Sequence, residues 1–194
     1  MSVEGNQLQS SAFRSLILPH LDGAYNLARF LTHDPALAED VVQEAFLRAY
    51  KAFPQYQGAS AKAWLFAIVR NCCWTALKVE RGIGRVTVGE SALSTEQARR
   101  LADVPDDSPT PDVELDRARE AAALRRMIEE LPEPFREALV LREMEELSYK
   151  EIAMVTGVAM GTVMSRLARA RMMLGELLLP RDEGTDLAER EVGS

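Results

Sequence analysis

The stretch from Leu147 to Leu174 reads LSYKEIAMVTGVAMGTVMSRLARARMML and sets the class of fold. Ser148 is placed to cap a short helix over Tyr149–Thr156, with Ile152, Ala153 and Val155 pointing inward. Gly157 follows Ala153 by four residues, where a tight turn between helices needs a left-handed backbone. Six residues further on, Val163 locks a second helix against the first. A small residue, a glycine and a β-branched residue at these spacings spell a helix-turn-helix. On the second helix Val163, Leu167, Ala170 and Leu174 share the buried side. Thr162, Met164, Ser165, Ala168, Arg169, Arg171 and Met172 face outward, with Arg166 at the margin. Such a helix fits the major groove of DNA: Arg169 and Ser165 reach base edges, while Thr162, Arg166 and Arg171 bond phosphates. The alternative is a helical hairpin with a solvated basic face.

Upstream, Leu131-Pro132-Glu133-Pro134 breaks the chain between two further helices. One runs over Asp112–Leu131, traced by Leu115, Ala118, Ala122, Arg125 and Ile128. The other spans Phe135–Met144 and buries Phe135, Leu139 and Val140. Before them lies VTVGESALSTEQARRLADVPDDSPTPDVE (86–114), with three prolines, two adjacent aspartates and little apolar periodicity. It reads as a linker with a short helical turn around Thr95–Leu101. The polar tail from Pro180 reads as disordered.

The remaining block, towards the N-terminus, is helical as well. An apolar-rich stretch over Ala12–Leu31 is bent near Pro19. Asp34-Pro35 starts the next helix, with Asp as N-cap and Pro at the first helical position. That helix runs to about Phe53 and buries Val42, Phe46, Ala49 and Phe53. Asp40, Gln43, Glu44, Leu47 and Lys51 share another face, where an exposed leucine among carboxylates and an amide suits a protein contact. The bland reading is a solvated face with one stray apolar residue. After a turn at Gln55–Ser60, a helix capped by Ser60 runs over Ala61–Lys78. Leu65, Ile68, Val69, Cys72 and Ala76 form its core side. Arg70, Asn71, Trp74, Thr75 and Lys78 collect opposite, with Trp64 at the edge. Cations, an amide and aromatic rings on one stripe suit single-stranded nucleic acid, whose bases stack on rings while phosphates meet Arg and Lys. Alternatively Trp74 packs on the preceding helix and the cations are merely solvated.

The 194 residues are 47% apolar and 6% aromatic, rich in Leu and Ala and poor in β-branched runs. The expectation is therefore an all-α chain of two small helical domains joined by a flexible acidic linker. The boundaries are a flexible N-terminus over 1–11, domains over 12–86 and 116–179, a linker over 87–115 and an acidic tail over 180–194. No stretch approaches the roughly 20 apolar residues of a membrane span, and the N-terminus has no secretory pattern. Adjacent Cys72 and Cys73 build no disulfide framework; Cys72 reads as a small buried residue rather than a redox sensor or zinc ligand. No phosphate-binding glycine loop, metal-spaced His/Cys set or Ser/His/Asp arrangement is present, and His20 and His33 read as surface or capping residues. The chain reads as cytoplasmic and not an enzyme, with no cofactor, metal, membrane insertion or small-molecule substrate. The net charge of −7 hides an uneven distribution: residues 87–115 carry 7 acidic and 2 basic residues, whereas 148–175 carry 4 basic residues against 1 acidic.

Taken together, DPALAEDVVQEAFLRAYKAFPQYQGASAKAWLFAIVRN (34–71) and LPEPFREALVLREMEELSYKEIAMVTGVAMGTVMSRLARARMML (131–174) resemble regions 2 and 4 of an extracytoplasmic-function (ECF) sigma factor of bacterial RNA polymerase. The resemblance implies an alternative sigma factor that binds core polymerase, directs it to promoters and melts the minus-10 element. Asp40, Gln43, Glu44 and Leu47 match the surface that grips the β′ clamp helices. Tyr56, Gln57 and Gly58 match the loop that holds a flipped minus-10 base; Trp64, Arg70, Asn71, Trp74 and Lys78 lie on the helix that lines and opens that element. Extruding a base from its stack takes a few kcal/mol, so a pocket and a stacking surface are required. Thr162, Ser165, Arg166, Ala168, Arg169 and Arg171 fall on the minus-35 recognition helix. The acidic linker resembles the segment that threads the RNA channel. The partners implied are core polymerase (β′ clamp helices and β subunit), promoter DNA and an anti-sigma factor. Three residues depart from the pattern: Met164 where a basic residue is frequent, Gln57 where arginine is common, and Ala159 in place of a turn proline.

Two other functions compete. A sigma mimic that sequesters an anti-sigma factor predicts DNA-facing residues unsuited to DNA, against Arg166, Arg169 and Arg171, and against the lack of a receiver-like αβ domain. A stand-alone helix-turn-helix repressor predicts a symmetric dimer and leaves the Asp40–Lys51 face unexplained.

Overall fold

The computed structural model describes residues 3–58, 60–80 and 111–178, and all regular structure among them is helical. The proposed turn at 95–101, the tail from 180 and residues 87–110 of the linker expected over 87–115 lie outside the described residues; residues 111–115 of that linker instead open a helix, Pro111–Glu130. The first unit comprises α1 (Val3–Ile17), α2 (Leu21–Thr32), α3 (Pro35–Ala52) and α4 (Ala61–Glu80). Helix α1 begins well before Ala12 and takes in residues read from sequence as a flexible N-terminus. A hydrogen bond of 2.9 Å between the hydroxyls of Ser10 and Tyr50 ties this early part of the helix to α3. The bend at Pro19 is present as a single 3-10 turn, Leu18–His20, between α1 and α2. Asp34 caps α3 as its side chain accepts from the N–H groups of Ala36 (2.8 Å) and Leu37 (3.2 Å), with Pro35 directly after it. Ser60 accepts from the Ala63 N–H at the start of α4 (3.3 Å).

The second unit comprises α5 (Pro111–Glu130), α6 (Glu133–Leu139), α7 (Tyr149–Thr156) and α8 (Met160–Leu178). The single helix expected over Phe135–Met144 is instead α6 followed by a π-helical turn, Val140–Met144. The Glu145 N–H reaches back five residues to the Val140 carbonyl (3.1 Å), widening the last turn. Glu146 then adopts φ 57°, and the Leu147 N–H returns to the Leu141 carbonyl (3.0 Å). Phe135 is only half-buried, whereas Leu139, Val140 and Leu141 are buried.

Ser148 closes a full capping box on α7: its Oγ accepts from the Glu151 N–H (3.3 Å), and Glu151 Oε2 accepts from the Ser148 N–H (2.8 Å). The Ser148 hydroxyl also donates to Glu151 Oε2 (2.6 Å), and this bond, followed by those from the Ser60 hydroxyl and the Ser148 N–H, holds the Glu151 carboxyl below its ordinary range. Gly157 terminates α7 at φ 70°, a conformation that a side chain resists. Replacing Ser148 by Ala is expected to destabilise the second unit by about 1 kcal/mol, read as a lower urea midpoint with unchanged slope.

Candidate nucleic-acid interface

On α8 the apolar and polar sides separate as the sequence predicts. Val163, Leu167 and Ala170 are buried and Leu174 is half-buried. Thr162, Met164, Ser165, Ala168, Arg169, Arg171 and Met172 are exposed, and Arg166 is intermediate. The Ser165 hydroxyl donates to the Thr162 carbonyl (2.9 Å), turning one side chain inward to its own helix. Arg171 donates to Glu143 (2.6 Å) at the surface; such an exposed pair is weak and yields readily to a phosphate. No described residue engages the Arg169 guanidinium in an ion pair, so it projects free from the helix.

The second cluster surrounds the start of α4. Tyr56 follows a 3-10 turn, Phe53–Gln55, and its ring packs 5.0 Å from Trp64 and 5.9 Å, stacked, from Phe53. Gln57 and Gly58 are exposed. About two turns further along α4, the Arg70 guanidinium lies 5.7 Å from the Trp74 ring. Asn71, Thr75 and Lys78 face solvent. Trp64 and Trp74 are each half-buried, so the stripe read from sequence is present, but its rings are partly packed rather than standing free. The Trp74 indole Nε1 is buried and meets no hydrogen-bond partner among the described residues.

The third face is that of α3. Asp40, Gln43, Glu44, Leu47 and Lys51 are all exposed, Leu47 at 57%, while Ala38, Val41, Val42, Ala45 and Ala49 are buried beneath them. Phe46 and Phe53 are half-buried in an aromatic cluster with Phe13. Glu44 accepts from Arg48 one turn on (2.6 Å). Asp40, Glu44, Arg48, Cys72 and Thr75 line a shallow groove of about 170 Å³ between α3 and α4. Burial pushes the Cys72 thiol up, and pushes the neighbouring Cys73 thiol up to about 12, so both stay protonated and unreactive near neutrality.

The sequence reading missed a second buried stripe on α4. Ala63, Phe66, Cys73 and Leu77 are buried, at heptad spacing around Arg70, on a side where only polar residues had been singled out. The stripe exists because α4 is covered twice: by α2 and α3, and by the second unit, whose buried residues join the same continuous apolar cluster. Arg70 Nε donates to Glu137 Oε1 (2.5 Å) and Nη2 to Oε2 (3.4 Å). Lys62 donates to both the carboxylate (3.0 Å) and the carbonyl (2.6 Å) of Glu145. The apolar period through Phe66 and Cys73 was the available signal for this contact.

The two helical units thus carry a helix-turn-helix with a segregated polar face and, on the other unit, a helix bearing aromatic and cationic side chains beside an exposed acidic face. The family model of Sigma-70 region 2 matches residues 16–82, and that of Sigma-70 region 4 matches residues 121–174. The chain is 34% identical over 181 residues to the ECF RNA polymerase sigma factor SigE of Mycolicibacterium smegmatis, covering 93% of this chain and 67% of that one. It is 36% identical over 172 residues to the RNA polymerase sigma-H factor of Pseudomonas aeruginosa, covering 87% of each. Among solved structures it resembles the sigma factor RpoE from Bartonella quintana, in complex with the anti-sigma factor NepR, at 26% identity and a TM-score of 0.63, over 88% of this chain and 99% of that one. The chain belongs to the ECF sigma factors of the sigma-70 superfamily. It is an alternative sigma factor, which directs RNA polymerase to promoters.

Proposed function

We propose that the three faces divide the work of initiation. The exposed set Asp40, Gln43, Glu44 and Leu47 on α3 docks on the β′ clamp helices of core polymerase, and the second unit contacts the β subunit. The loop at Tyr56, Gln57 and Gly58 takes a base extruded from the minus-10 element. Trp64, Arg70, Asn71, Trp74 and Lys78 line the opened strand. Thr162, Ser165, Arg166, Ala168, Arg169 and Arg171 meet the minus-35 element in the major groove. The observation that carries this reading is the segregation of α8, with every one of these six residues off its buried side. The linker, acidic in sequence, occupies the RNA channel until the transcript displaces it. The protein acts by binding and release, with no reaction of its own, inside the cell. An anti-sigma factor is its expected regulator, supported by the relative from Bartonella quintana that was solved with one.

Melting is the part most open to direct test. A Tyr56→Ala, Trp64→Ala chain is expected to bind core polymerase normally yet lose most run-off transcription on a duplex promoter, because base stacking of roughly 1–3 kcal/mol per ring is removed. A template already mismatched across the minus-10 element should restore activity. Equal loss on both templates would assign these rings to folding instead of melting.

A further inference from the structure

We propose that this chain carries its own clasp: Glu137 and Glu145 of the second unit hold Arg70 and Lys62 of α4, and α4 engages DNA only once that clasp opens. The proposal rests on the reading of α4 as the minus-10 helix. Glu137 grips the Arg70 guanidinium through both carboxylate oxygens and is itself 2% exposed. Two carboxylates thus occupy cations that phosphates would otherwise meet, and a nucleic-acid strand and the second unit compete for the same charges.

The packing of the sequence favours this closure. The π-helical turn after α6 and the left-handed Glu146 deliver Glu145, 5% exposed, to Lys62. Glu151 of the α7 capping box also takes a hydrogen bond from the Ser60 hydroxyl at the start of α4. Gly23 stands in the first turn of α2, and a Cβ there would overlap the Glu145 carboxylate and lie 2.9 Å from the Phe66 ring. On the flank, Arg125 lies over the Phe30 ring at 5.8 Å and Arg29 faces Glu129 at 3.5 Å.

The clasp is poised to open. Burial pushes the Glu137 carboxyl up although the Arg70 hydrogen bond and charge pull it down, and a buried ion pair gives back in desolvation much of what it gains in attraction. The Trp74 indole N–H is also left unpaired among the described residues, a deficit that opening to water or DNA removes.

The test uses the full chain, its E137Q/E145Q variant and Gly23→Ala, with circular dichroism to check that each is folded. Small-angle scattering is expected to show a compact wild type and a larger radius of gyration for both variants. A fluorescein-labelled single-stranded oligonucleotide of mixed sequence is expected to bind both variants roughly tenfold more tightly, the effect of moving the opening equilibrium by about 1.4 kcal/mol. Gly23→Ala leaves the net charge unchanged, so it separates opening from a gain in positive charge. A wild type as extended as the variants overturns the clasp. So does tighter binding by E137Q/E145Q alone, which is simple electrostatics. Expansion of both variants without any DNA binding overturns the minus-10 reading of α4, and the inhibitory role of the clasp with it.

Discussion

Replacing Asp40 and Glu44 together by Arg is expected to lower the affinity of the chain for core polymerase by roughly 100-fold or more. Reversing two charges at a protein interface leaves the partner's groups opposed as well as unpaired, and losing one partner of a desolvated charge pair alone takes about 2–5 kcal/mol. The same change leaves the fold almost untouched. Both residues are exposed on α3, and among the described residues Glu44 is held along the helix by the exposed Arg48 pair, worth about 0.3–0.5 kcal/mol. Sedimentation or fluorescence binding to core polymerase measures the first effect and thermal melting the second. A stand-alone repressor would bind its DNA unchanged after these substitutions. Loss of core binding with the melting transition retained therefore separates the two functions.

Arg169→Ala and Arg166→Ala are expected to separate base reading from phosphate contact. Arg169 projects from the exposed face of α8. A bidentate base contact there contributes about 1–3 kcal/mol, so its loss relaxes the preference at one minus-35 position by roughly 5- to 150-fold. Arg166 sits at the margin of the same helix, half-buried. Its loss should weaken all promoters about equally and reduce the salt slope of holoenzyme binding by about 1. Electrophoretic titration of reconstituted holoenzyme against minus-35 variants at several salt concentrations measures both. Uniform weakening by both substitutions would place Arg169 on a phosphate.

The helix-turn-helix was legible because every device in it is local. Ser148 caps, Gly157 turns and Val163 locks within sixteen residues, and each is found in that role. Asp34-Pro35 announced α3 for the same reason. The faces of α3 and α8 followed from helical period, since each helix is buried on one side. Helix α4 was read less well because it is buried on two sides, by residues distant in sequence. A period that places Leu65, Val69 and Cys72 in one core assigns Arg70 and Trp74 to solvent by default. Phe66 and Cys73, both fully buried, mark the second contact. The π-helical turn was illegible because nothing in VLREM distinguishes it from another turn of α-helix; it is set by where Leu147 must return to pack.

Run-off transcription from fragmented genomic DNA of the source organism, using purified core polymerase with and without the full chain, tests the central claim most directly. The account predicts chain-dependent transcripts from defined starts, preceded by two shared sequence blocks at minus-10 and minus-35. A chain that fails to bind core polymerase and adds no transcript contradicts it.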